Sequence, residues 1–203
     1  SPTGQRTLTR AWRSADGTRD GLVWTDTPGR AAAGSVVIPG CRGGRAAEWD
    51  TGGTLRADRT RDCRPDPAYR PDLPTTAAGM RRYLAAAGGV GSADERVLAN
   101  AGLLLQTMLL TSASLAAVFD ALAQVPGVTA LLAVTDAEGR PAVAVARTGP
   151  LQRCVLVFDP DTYQYRGWHL EPADAAGSST GRQPVRRQAV LRVAVVDTPG
   201  QLP

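Results

Sequence analysis

Residues 125–170 constrain the fold more than any other part of the chain. Val128 to Val134 is apolar and runs into Thr135-Asp136-Ala137-Glu138-Gly139, a hairpin signal with glycine where positive φ is cheapest. Val143-Ala144-Val145-Ala146 follows, then Thr148-Gly149-Pro150, then Cys154 to Phe158. Asp159-Pro160-Asp161-Thr162 turns the chain again into Tyr163 to Leu170. Four short strands joined by tight turns predict an antiparallel meander. Such a sheet needs a cover for its apolar face.

The segment just upstream supplies that cover. Thr75 or Thr76 is placed to cap a helix running to about Ala87, with Met80, Tyr83 and Leu84 as its apolar stripe. Gly88-Gly89 ends it. Ser92 and Glu95 have the spacing of a capping box and open a second helix to about Leu110, with Val97, Leu98, Leu104, Leu105 and Met108 available for burial. Ser112 or Ser114 is expected to cap a third helix carrying Leu115, Val118, Phe119 and Leu122, and Pro126-Gly127 stops it. The chain is therefore expected to be α+β, with about three helices inserted between N- and C-terminal strands and packed on one sheet face.

The N-terminal quarter reads as β-type and loop-rich. Leu8 and Trp12 share one face of a strand, Asp16-Gly17 marks a hairpin turn, and Leu22-Val23-Trp24 begins the return. Residues 28–66 are rich in glycine and proline, with Val36-Val37-Ile38 as their apolar run and Trp49 and Leu55 on short, irregular strands. Pro65 to Pro74 reads as an extended connector. Residues 172–184 read as a loop, and Gln188 to Val196 as a last strand. A single domain over 1–203 is expected, made of N-terminal strands and a disulfide loop (1–66), helices (75–125) and C-terminal antiparallel strands (128–197).

All 23 basic residues are arginine, and the net charge is only +4. The densest groups are Arg56-Arg59-Arg61-Arg64, Arg81-Arg82 and Arg182-Arg186-Arg187. Nucleic-acid binding calls for a clustered basic face with interleaved aromatics or a known module, so no nucleic-acid partner is expected. No apolar run reaches the length of a membrane span, so a membrane is expected only through an N-terminal anchor. Residue 1 is serine rather than methionine, and such an anchor is expected to have been removed.

The chain has three cysteines. Cys41 and Cys63 lie in polar, loop-like contexts and read as a bridge closing a loop of about 20 residues, worth roughly 3 kcal/mol in the chain-entropy picture. Cys154 lies in a strand and reads as a buried core thiol. A bridge implies an oxidising, extracytoplasmic compartment.

Catalytic signatures are weak. His169 is the one histidine; it sits near a strand end, no G-x-S-x-G motif accompanies it, and it reads as a half-exposed strand residue. Asp159 and Asp161 flank Pro160 as a tight turn requires. The absence of lysine excludes a P-loop, and no G-x-G-x-x-G follows a strand. Neither an enzyme nor a cofactor is expected, and no metal site. Trp12, Trp24, Trp49 and Trp168 all fall in β-type segments, where they either fill the core or help line an apolar cavity. For the cavity, the candidate lining is Trp24, Leu104, Met108 and Phe119.

Several stretches carry a resemblance. They are Tyr69-Arg70-Pro71-Asp72-Leu73-Pro74-Thr75, Tyr83-Leu84, Leu122 to Val128, Asp136 to Val145, Leu156 to Tyr163, and Val195-Val196-Asp197. Together they resemble an actinobacterial family of uncharacterised secreted or membrane-anchored proteins, most specifically from Pro71 to Tyr163. Members often sit beside extracytoplasmic-function sigma factors, which implies a role in envelope regulation. The implied fold is similar to lipoprotein-carrier and sigma-regulator ectodomains: a curved antiparallel sheet, an unclosed half-barrel, with helices on its concave side. Two functions follow as expectations. One is a non-enzymatic sensor or protein-interaction domain of a membrane-anchored regulator, with an envelope protein as partner. The other is a carrier or receptor for a lipid or other apolar small molecule.

Overall fold

The computed structural model describes residues 6–29, 33–150, 152–173 and 186–203. The expected loop over 172–184 lies almost wholly outside the described residues, as does Arg182. The chain divides into two compact units, Ser1–Tyr69 with Ala194–Pro203, and Arg70–Val193. The fold is α+β, with antiparallel sheets and no closed barrel.

In the first unit, β1 (Leu8–Trp12), β2 (Gly21–Asp26) and β3 (Gly34–Ile38) form an antiparallel sheet in that order. Arg10 pairs with Trp24, and its guanidinium lies 4.6 Å from the Trp24 ring centre. The connection from β1 to β2 is longer than a tight hairpin. Asp16 organises it by accepting hydrogen bonds from Ser14 Oγ, Thr18 N and Thr18 Oγ1. Gly17 (φ +74°) lies so close to the Asp66 backbone that an added Cβ would be 2.5 Å from Asp66 N.

A second hairpin pairs β4 (Arg45–Trp49) with β5 (Leu55–Asp62), with a bulge between Ala47 and Glu48. Trp49 and Leu55 face each other across it. Asp50 closes its turn by accepting from Gly52 N and Thr54 N. At its open end the Cys41–Cys63 disulfide is formed, and Cys63 N donates to Gly44 O. Trp12 Nε1 donates to Gln201 O, which ties the C-terminal segment to this unit.

The second unit contains the helices and the meander. After a two-residue strand at its start, β6 (Tyr69–Arg70), come α1 (Ala77–Ala86) and α2 (Ala93–Thr107). Thr76 caps α1, and Ser92 and Glu95 form the full capping box at α2. The second helix ends at Thr107 rather than Leu110, because the chain turns extended there and Leu109–Leu110 form the short strand β7. The cap of α3 (Ser112–Ala123) is Thr111, not Ser112 or Ser114; Thr111 Oγ1 accepts from Ser114 N. Ser114 is instead buried inside the first turn and donates to Leu73 O.

The meander is β8 (Val128–Thr135), β9 (Pro141–Thr148), β10 (Gln152–Phe158) and β11 (Tyr165–Pro172), and β12 (Arg186–Ala189) completes a sheet ordered β12-β11-β10-β9-β8. The last strand is shorter than the Gln188–Val196 run in the sequence. Past Val190, whose N–H still donates to Arg166 O, no ladder pairing continues.

The three helices pack on one face of this sheet. Met80, Leu84, Val97, Val118 and Leu122 meet Leu156 and Phe158 in a core where each is almost fully buried. At roughly 1.5–3 kcal/mol per buried aliphatic or aromatic side chain, this face dominates the unit's stability. Gly102 brings α2 close: a Cβ there would sit 2.9 Å from Leu156 Cδ2. The other face carries a second cluster, Ala142, Ala144, Ala146, Val155 and Val157. Strict alternation along β9 produces both faces at once.

Candidate functional site

Two hairpin ends of the first unit build a depression of about 170 Å³. Its walls include Ser14 and Gly17 from the β1–β2 connection, Gly21 at the start of β2, Gly40 and the Cys41–Cys63 bridge, and Ala46 of β4. Four arginines reach it: Arg13, Arg19, Arg61 and Arg64. Arg61 pairs with Ala46 across the β4–β5 ladder, so the two share a face of that hairpin. Arg64 follows Cys63 directly, and the bridge fixes its backbone. Arg13 donates through Nη2 to Asp66 at 2.6 Å. Asp66 is the one carboxylate in the lining.

Several arginines elsewhere on the surface are paired with carboxylates. Arg45 pairs with Asp62, Arg56 with Asp58, Arg70 with Asp72 and Arg81 with Asp94. Arg19, Arg61 and Arg64 have no such carboxylate among the described residues. The residues lining the depression therefore comprise four arginines and one aspartate.

A larger, shallower depression of about 320 Å³ lies on the outer side of the helices in the second unit. Ala78, Ala85, Ala93 and Val97 line its floor, with Arg81, Arg82, Asp94 and Gln124 around them. The Arg81–Asp94 bond of 2.7 Å spans from α1 to α2 and neutralises one of its two cations.

A third polar cluster lies at the turn end of the five-stranded sheet. A bulge opposite Val157 and Phe158 leaves Arg166 as an extra residue of β11. Its guanidinium bonds Asp159 and comes within 3.9 Å of Asp136. Burial works to raise the Asp136 pKa. The backbone and side chain of Arg140 and the Glu138 N–H donate to the carboxylate, and together they outweigh burial and hold it below the usual range. Asp159 accepts from Thr162 N and Asp161 N, and these with Arg166 bring its pKa to about 2. This cluster ties two adjacent turns together.

The sequence candidates fall as follows. Cys41 and Cys63 are bonded. Leu104, Met108 and Phe119 come together in the helix-side core, where Phe119 packs 4.9 Å from Phe158. Trp24 belongs to the other unit and lies against Arg10. None of the four lines either depression. Cys154 is a free, half-buried thiol on the helix side, and burial pushes its pKa up to about 11, which keeps it protonated and unreactive. His169 stands on β11 opposite Val155 and Arg187. Burial, with Arg187, lowers its pKa against the pull of Glu171 and Asp136, and its Nε2 is buried without a hydrogen bond among the described residues. Asp159 serves its turn, as the Asp-Pro-Asp pattern predicts.

The arginine-lined depression is the feature that sequence reasoning missed. Arg61 and Arg64 are visible as part of a basic run, but their meeting with Arg13 and Arg19 depends on how two hairpins fold together. No group of three or more metal-ligating side chains occurs among the described residues. No helix among them is long and apolar enough to cross a membrane. The chain matches no protein-family model, no curated protein and no solved structure.

Proposed function

We propose that the chain is a non-enzymatic extracytoplasmic domain of a membrane-anchored regulatory protein, acting as a sensor or protein-interaction module. The Cys41–Cys63 disulfide carries this reading. Such a bridge persists where thiols are oxidised, outside the cytoplasmic membrane. It closes the base of the β4–β5 hairpin and so holds the arginine-lined wall in place. Rigid presentation of charge from a cross-linked scaffold suits recognition of a partner or ligand. The resemblance carried by residues 71–163 adds the regulatory context.

Two measurements in the protein's own host test it. A periplasmic-type reporter enzyme fused after Pro203 reports which side of the membrane the chain occupies. Transcript profiling after deletion of the coding region reports regulation. An active reporter with altered expression of envelope-stress genes is the expected result. An inactive reporter overturns the location, and unchanged transcripts under envelope stress overturn the regulatory role.

A further inference from the structure

We propose that the depression beside the Cys41–Cys63 bridge is a binding site for a doubly charged tetrahedral oxyanion, a phosphate monoester group above all. The inference rests on the reading of the chain as a binding domain and gives its ligand a chemistry. Arg13, Arg19, Arg61 and Arg64 line one space of about 170 Å³, and Arg13 alone is matched by a carboxylate, Asp66. Like charges held together repel, whereas Arg45, Arg56 and Arg70 are each paired with an aspartate. An anion resolves the repulsion.

Size and charge narrow the class. A site for a drug-sized organic ligand spans roughly 300–1,000 Å³. This one is smaller and fits a single headgroup with its water. A carboxylate brings one negative charge against three in excess. A phosphate monoester brings close to two at neutral pH and offers three oxygens to guanidinium forks, which bind phosphate in bidentate fashion. The arginines are also held from a rigid frame, since Arg61 sits in the β5 ladder and Arg64 next to a disulfide. The phosphate group has two possible sources, a soluble ester or a lipid headgroup, and the chemistry at the arginines is the same for both.

Isothermal titration calorimetry of the full chain with inorganic phosphate at low ionic strength tests the site. Acetate serves as the singly charged comparison. Saturable binding of phosphate, tighter than acetate and weakening as salt rises, is expected. Arg61→Gln and Arg64→Gln should each weaken it about tenfold, the loss of one charge-assisted contact. Arg59→Gln, on the same strand but outside the depression, should leave affinity unchanged. Circular dichroism establishes that each variant is folded. No saturable binding, equal affinity for acetate, or an equal loss in Arg59→Gln overturns the proposal. Co-sedimentation with phosphatidic acid vesicles assigns the lipid source, and phosphate binding without co-sedimentation assigns a soluble ester; either supports the site. Phosphate binding with unchanged host transcripts would leave this site standing and remove the regulatory role, so the two failures are separable.

Discussion

Asp136, with only 1% of its side chain exposed, accepts a hydrogen bond from Arg140 Nε at 2.5 Å and so closes the turn between β8 and β9. The same carboxylate accepts from Glu138 N and Arg140 N, and Arg140 Nη2 continues to Val190 O. One buried acid thereby fixes a turn and anchors the chain leaving β12. Replacing it by asparagine keeps the shape but sets an NH₂ group or a weaker acceptor against Arg140. Asp136→Asn is predicted to lose about 2 kcal/mol in urea unfolding, since Arg140 is partly exposed and can regain water. A loss within error would show that the turn holds without the charge.

Acid should act through the same groups. Asp159 and Asp16 are each lowered from 3.8 to about 2, Asp159 first by the Thr162 N–H and Asp16 first by the Ser14 hydroxyl. A carboxylate with a depressed folded pKa contributes stability above its unfolded pKa and loses that contribution as pH falls through the folded one. Unfolding free energy is therefore predicted to be level above about pH 5 and to fall between about pH 4 and pH 2. Carboxyl carbon shifts in an NMR titration give the check: midpoints near 2 for both residues are expected, and midpoints near 4 would contradict the hydrogen-bond assignments.

Gly167 is predicted to be among the least replaceable positions. It has φ +135° beside the β11 bulge, and an added Cβ would collide with the Gln188 carbonyl on β12. Gly167→Ala should cost at least about 2 kcal/mol from backbone strain and displaced pairing. Gly139, also at positive φ but with open space around it, should lose less on the same change. Thermal melts of the two variants compare them directly, and equal losses would refute the crowding at β12.

Removing the bridge should be felt in the first unit. The double variant Cys41→Ser, Cys63→Ser is predicted to lose about 3 kcal/mol, the loop-closure entropy returned to the unfolded chain. Amide hydrogen exchange should quicken at Ala46, Ala47 and Thr60, whose hairpin the bridge closes. Unchanged exchange there would mean that the hairpin stands without its cross-link.

Local signals made much of this fold readable. Ser92 and Glu95 cap their helix through contacts three residues apart, so their positions follow from spacing alone, while the first helix's cap is narrowed by the sequence to Thr75 or Thr76 and is Thr76. The meander was legible because its turns carry their own chemistry, as Asp136-to-Gly139 and Asp159-to-Thr162 do. Thr111 is hidden as the α3 cap because the serines at 112 and 114 compete for that position; the Ser114 N–H bond to Thr111 Oγ1 and the burial of Ser114 decide between them. The bulge that aims Arg166 was also hidden, since it depends on register with β10 rather than on any residue type. The depression was hidden for a related reason. Its arginines come from positions 13, 19, 61 and 64, and only tertiary folding collects them in one place.

The state of the cysteines in the cell bears most directly on the claim of an extracytoplasmic, bridge-stabilised binding domain. Protein taken from its own host, quenched in acid, unfolded and alkylated without reductant should gain one label by mass, at Cys154. Three labels would mean that Cys41 and Cys63 are reduced in the cell, and would contradict both the bridge and the compartment.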